Sequence, residues 1–459
     1  MKQFQLNTMK NKPVLIILLF LTPIFFSCKK FLDAKPDKKI VISTTLQDAQ
    51  ALLDNYTIFN SYYPCLGDQS DDNIYLDDDN LNSLDVNSIN NYLWSADAIN
   101  EFDWGEMYQI VLNATISLET VEKISRDSSN FQLWNSVKGG ALFYRAYSLY
   151  QVAEYYAGIY DSTTSSGLPG IPLRNSTDEN IISKRATLEE TWQQIVDNYK
   201  QAVDLLPIKS TIPSRPTKAA AWAALARTYL CMNKFSLAAM AADSALNLQH
   251  DLIDFNDLDS TADDPFERFN AEVIFPSNSN TAAQLDLSVY SIDTTLYASY
   301  SANDLRRSMY YILNDAGGYG FKGNYDGDNY NGYFNGIAVD EVLLIRAECY
   351  ARLGQVSKAM DDLNTLLVKR WKTGTFTSLI ASDAQDALAI ILKERRKELI
   401  LRGTRWFDLR RLSNDPDFAV TPKRIVDGKE YVLLPNSSRY TFLIPKQVID
   451  LTGMEQNVR

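Results

Sequence analysis

Lys218-Ala219-Ala220-Ala221-Trp222-Ala223-Ala224-Leu225-Ala226-Arg227-Thr228-Tyr229-Leu230-Cys231-Met232 has the make-up of a helix built to be packed on others. Alanine is the best helix former, and its small side chain lets a neighbouring backbone come close. Trp222, Leu225 and Tyr229 recur at helical spacing to fill the gaps. After Asn233 and Lys234 the helical pattern resumes from Ser236 to Leu248, so the spacing predicts a helical hairpin. A second hairpin is expected from Asp340 to Leu353 and from Val356 to Arg370, with Gly354 where a left-handed C-cap belongs. Upstream, Val137–Tyr160 carries a broad apolar face. Thr187-Leu188-Glu189-Glu190 reads as a capping box. The helix it opens presents Trp192, Ile195, Val196, Tyr199 and Ala202 and is stopped by Pro207.

These hairpins resemble tetratricopeptide repeats, though they lie far apart in the chain. Few segments read as strands. The fold expected is mostly α: a scaffold of helical hairpins with long irregular loop insertions and little β structure. The insertions fall near 60–100 and 251–335, and both are rich in Asp, Asn and Tyr. Long loops in a compact protein usually carry function.

The 459 residues carry a net charge of −12, which the loss of the first 27 residues would shift to −15. A surface of that sign repels phosphate backbones, so nucleic acid is not an expected partner. One histidine and four cysteines without metal spacing leave no zinc site. The sequence assigns no disulfide among Cys65, Cys231 and Cys349; with Cys28 acylated an odd number remains, and buried free thiols are the plain expectation.

Lys2, Lys10 and Lys12 precede an apolar run from Val14 to Phe26, which ends at Ser27-Cys28. The run is too short to span a bilayer core of roughly 30 Å and fits a secretory signal. A cysteine directly after a small residue suggests a lipoprotein signal over residues 1–27, with acylation at Cys28 anchoring the mature chain to a membrane.

Three motifs look chemical and read more simply as structure. Glu394–Arg411 pairs Glu398 with Arg402, and Asp408 with Arg405 and Arg411, at spacings that suit helical ion pairs. Gly318-Tyr319-Gly320-Phe321-Lys322-Gly323 matches a dinucleotide fingerprint, but an Asn- and Asp-rich stretch follows where a helix is needed. Asp326-Gly327-Asp328-Asn329-Tyr330-Asn331 departs from the EF-hand pattern. Among 57 acids no pair stands out for glycoside hydrolysis, and no Gly-x-Ser-x-Gly elbow occurs. No catalytic role and no cofactor is assigned; irregular calcium binding stays open.

The blocks Cys28-Lys29-Lys30-Phe31-Leu32-Asp33, Leu46–Asn55, Gly167-Leu168-Pro169-Gly170-Ile171-Pro172, Arg215–Ala220, Leu344-Ile345-Arg346-Ala347-Glu348, Glu394–Leu399, Arg402–Arg411 and Leu443-Ile444-Pro445 follow one another along the chain. Taken in that order, they resemble the SusD-like (RagB/SusD) family of Bacteroidetes lipoproteins. The resemblance implies one intertwined domain over 28–459, outer-membrane attachment, and a SusC-like TonB-dependent β-barrel transporter as partner. It implies binding of an oligosaccharide, or alternatively of a peptide, without chemistry. A purely protein-binding helical scaffold is the remaining alternative.

Sugar rings offer apolar faces and a rim of hydroxyls, which aromatic platforms and amide or carboxyl groups match. Two loop clusters have that make-up: Asp72, Asn73 and Tyr75 with Trp94, and Tyr319, Asn324, Tyr330 and Tyr333. These eight are the candidate ligand residues. Trp104, Trp134 and Trp406 are expected in the core.

Overall fold

The computed structural model describes residues 43–314, 317–328 and 332–459. The signal segment, the acylation site Cys28 and the candidate Tyr330 lie outside the described residues. Residues from Ser43 to Arg459 form one compact unit.

The longer helices are α1 (Leu46–Leu53), α2 (Glu101–Glu122), α3 (Phe131–Tyr156), α4 (Leu188–Leu205), α5 (Lys218–Cys231), α6 (Phe235–Leu246), α7 (Val339–Arg352), α8 (Val356–Leu367), α9 (Ala384–Glu398) and α10 (Arg405–Arg411). Neighbours in sequence are neighbours in space: α2 packs on α3, α3 on α4, α4 on α5, α5 on α6 and α7 on α8. α6 then packs on α7, joining two hairpins separated by the whole second insertion. This is the stacking expected of helical repeats.

The Thr187 capping box forms, with Thr187 Oγ1 accepting from Glu190 N and Glu190 accepting from Thr187 N. Gly354 is left-handed at φ +74°, where a Cβ would be strained. Asn233 takes the matching position in the α5–α6 turn at φ +56°; Asn tolerates that region because its side chain bonds locally. α3 runs earlier than its apolar pattern at both ends, because Phe131 and Trp134 are only partly covered and Ala157 turns extended.

The strands are short and paired in twos. β1 (Ile74–Tyr75) pairs with β2 (Ser291–Ile292), and β3 (Tyr311–Leu313) pairs with β4 (Tyr319–Phe321). The insertions therefore lean on each other. One hydrophobic cluster fills the helical scaffold, and a second sits among the insertions around Tyr310, Phe321 and Phe334.

The block 394–411 joins the two regions, with partners other than those its spacing suggests. Glu398 does not meet Arg402, because α9 ends at Glu398 and Leu401 is left-handed at φ +50°. Glu398 instead accepts from Arg306 Nη1 at 2.9 Å and Arg370 Nε at 2.6 Å. Arg402 turns to Asp340 at 3.2 Å. Asp408 does pair with Arg411, at 2.8 Å, and also with Arg395 at 2.8 Å. Arg405 crosses to Asp72 at 2.6 Å and 2.8 Å. All these groups are largely buried, so each charge rests on its partner.

Cys65, Cys231 and Cys349 are free and buried. Trp406 and Trp104 are core residues, and Trp134 is packed at its edge. The glycine-rich motif enters β4 and no helix follows it, so it lacks the geometry that cradles a pyrophosphate.

Candidate ligand cleft

Two insertions meet along backbone bonds. Tyr63 N donates to Asn278 O at 3.0 Å, and Asn280 N donates to Tyr63 O at 2.7 Å. Asn60 Nδ2 donates to Pro276 O at 2.8 Å. These bonds fix the chain on both sides of Tyr62, which sits left-handed at φ +60°. A bulky residue rarely adopts that conformation, and the cost of about 1–3 kcal/mol must be held by its surroundings. The Tyr62 ring stands out, 44% exposed.

Its partner is Phe102, 53% exposed, in the first turn of α2. Asn100 caps that turn by accepting from Asp103 N at 3.0 Å. The Tyr62 and Phe102 rings meet edge to face with centroids 6.4 Å apart. One residue on, Asp103 points inward and accepts from Asn280 Nδ2.

Asn280 also lines a cavity of about 400 Å³ together with Thr281, Asp286, Leu287, Gly332 and Tyr333. Gly332 is required there: its φ is +91°, and a Cβ would lie 2.1 Å from Ser279 O. Tyr333 is fixed by its hydroxyl, 2.8 Å from Tyr290 Oη, and by donation to Leu285 O at 3.2 Å.

Behind Asn280 the polar groups are buried. Burial pushes Asp103 up to about 7, against its hydrogen bond from Asn280. Burial likewise raises Asp68 to about 7. Asp286, at the rim, is held below the ordinary value by the Ser288 hydroxyl and N–H. Among the described residues, Asp103 Oδ2 and Asn280 Oδ1 are buried with no hydrogen-bond partner. Such groups suit hydroxyls or ordered water. Two exposed ring faces beside amide and carboxyl groups can stack and hydrogen-bond a polyhydroxylated ligand.

Of the residues picked out in the sequence, Tyr333 lines this cavity, though it is 4% exposed. Asn324 is buried and serves the loop itself, donating to Gly332 O at 3.0 Å and accepting from Phe334 N at 2.8 Å. Tyr319 lies half-buried on β4, stacked on Tyr297 at 3.7 Å. Tyr75 is 40% exposed on β1.

The remaining three need correction as ligand candidates. Trp94 is 1% exposed; its Nε1 donates to Ser70 O at 2.7 Å and the Arg424 guanidinium lies 4.5 Å from its ring. Asn73 is fully buried between Asp71 and Arg396. Burial alone would raise the Asp72 pKa, but Arg405 and Arg396 outweigh it and hold the carboxylate well below the usual range. All three are committed to holding the insertion in place.

Tyr62, Phe102, Asn280 and Asp286 were not picked out. Tyr62, Asn280 and Asp286 do fall within the loop insertions, but nothing local marks them. Only the pairing of 60–63 with 278–280 brings them together.

The chain belongs to the SusD-like family. A family model described as starch-binding, associating with outer membrane, matches residues 30–230, and the SusD family model matches residues 221–448. "SusD-like protein P2" of Formosa agariphila is 25% identical over 375 residues, covering 67% of this chain and 71% of that protein. A crystal structure of a putative sugar binding protein from Bacteroides vulgatus superposes with a TM-score of 0.73 at 22% identity, covering 91% of this chain and 99% of that one. A SusD superfamily protein from Bacteroides thetaiotaomicron gives 0.72 at 20% identity, covering 90% and 100%. These likenesses place the fold in that family.

Proposed function

We propose that this protein is an outer-membrane lipoprotein of the cell surface that captures a glycan and passes it to a SusC-like TonB-dependent transporter without altering it. The observation that carries the reading is the Tyr62–Phe102 pair, held exposed beside a polar cavity by backbone bonds between two insertions. Two large apolar rings exposed side by side at the mouth of a polar cavity make a platform for an apolar ring face. Family membership and a structural relative described as sugar binding support the ligand class. No cofactor or catalytic residue enters this reading.

Stacking on an aromatic ring contributes about 0.5–1.5 kcal/mol beyond area burial. Tyr62→Ala and Phe102→Ala should each weaken glycan binding about three- to tenfold, and the double variant more. Calorimetry against a panel of oligosaccharides and of peptides, with circular dichroism to check folding, tests this. A panel bound only through peptides, or glycan affinity unmoved in the double variant, would remove the proposal.

A further inference from the structure

We infer that the ligand cleft is built for non-acidic glycans and rejects polymers bearing carboxylate or sulfate groups. This rests on the glycan-binding reading and specifies its substrate class.

Two stretches of the chain lack cations. Between Ile40 and Glu122 the sequence holds fifteen Asp and Glu and no Lys, Arg or His. Between Phe269 and Leu305 it holds Glu272, Asp286, Asp293 and Asp304 and again no cation. The walls of the cleft come from these two stretches, with Gly332 and Tyr333 completing them. Among the described residues its lining carries one charged side chain, the carboxylate of Asp286. Asp286 is exposed, and the Ser288 hydrogen bonds keep it ionised. Glu101, next to Phe102, is exposed as well.

Basic groups of the flanking segments are engaged: Arg268 pairs at 3.0 Å with Asp326, the carboxylate that also accepts from Asn278. Arg424 donates to the carbonyls of Tyr92 and Asp71. Arg459 donates to those of Ser95 and Thr441. Lys322, from the same insertion as Tyr333, donates to Ser260 and Ala262 carbonyls. Recognition of a uronate or sulfate normally relies on Arg or Lys forks. Here an anionic ligand would meet the Asp286 carboxylate in place of such a fork.

Basic side chains do gather elsewhere. A separate cavity near α9 is lined by Lys393, Arg396, Lys397 and Arg405. Arg405 and Arg396 hold Asp72, and Lys397 holds Glu394 and Asp304. Acidic polymer captured there would be independent of the two exposed rings.

The experiment compares matched neutral, amino-bearing, uronate-containing and sulfated oligosaccharides by calorimetry on the full mature protein, at low and at physiological salt. Wild-type protein should prefer the neutral or amino-bearing ligand at least about fivefold at low salt, the preference shrinking as salt rises. In the double variant Asp286→Asn, Glu101→Lys the ratio of acidic to neutral affinity should rise by a similar factor. Asn at 286 can still accept from Ser288, so the turn survives. An acidic glycan bound as tightly as the neutral one and weakened by Tyr62→Ala would overturn the inference while leaving glycan capture standing. Acidic binding untouched by Tyr62→Ala lies outside the cleft and counts for it. If no glycan of any charge binds, the functional reading itself falls.

Discussion

Asp103 shows how one residue ties the cleft to stability. Its carboxyl is buried beneath Phe102 and bonded by Asn280, and burial raises its pKa from 3.8 to about 7. Between those values the folded chain keeps a proton that the unfolded chain has lost. Stability must therefore fall as pH rises through that window. Asp68, raised to about 7 by burial, acts in the same sense. Asp72 acts in the opposite sense: its depressed pKa gives stability above 3.8 that is lost on acidification. Asp103→Asn removes one ionisation without removing an acceptor for Asn280. Melting temperatures of the two proteins should be close below pH 3.8 and separate progressively up to pH 7, with the variant higher. Parallel curves across that range would mean that Asp103 is not the titrating group.

At the scale of elements, the charged block acts as a clasp between scaffold and insertions. Arg306 belongs to the second insertion and is fully buried. It holds Asp304 at 2.7 Å beside it, and reaches α9 through Glu394 at 2.6 Å and Glu398 at 2.9 Å. Arg370 continues the clasp from the end of α8 to Glu272 at 2.9 Å and Glu398 at 2.6 Å. Removing a buried cation leaves its carboxylates facing one another, which costs about 3–5 kcal/mol. Arg306→Met should lower stability to urea by that order. It should also speed amide exchange across 291–321, where the insertion rests on α9, more than across α5 and α6. Uniform acceleration over the whole chain would argue against a local clasp.

For the whole molecule, the function proposed depends on the tether as much as on the fold. No helix among the described residues is long and apolar enough to cross a membrane. The tether in the proposed function is Cys28, whose acylation would hold the protein by several buried chains. Cys28→Ser should leave the protein folded but move it from the membrane fraction to the soluble one, with loss of the fatty-acid mass from the mature N-terminus. Membrane retention of the variant at the wild-type level would rule out the lipid anchor.

The helical scaffold was legible because its signals are local. The alanine-rich run at 218, the box at Thr187 and the turn at Gly354 each depend on residues within a few positions of one another. The order of the family blocks was legible for the same reason. The ligand cleft was only partly so. Trp94 and Tyr62 are both aromatic, both in the first insertion and both left-handed, at φ +53° and +60°, yet one is 1% and the other 44% exposed. What separates them is the neighbour each ring meets: Ser70 and Arg424 close over Trp94, while the ladder from Tyr63 to residues 278–280 leaves Tyr62 outside. The chain alone determined the helices, the expected anchor and the ring-rich loops. Contacts spanning more than two hundred residues decided which rings face solvent, because burial of a loop side chain is set by its distant neighbours.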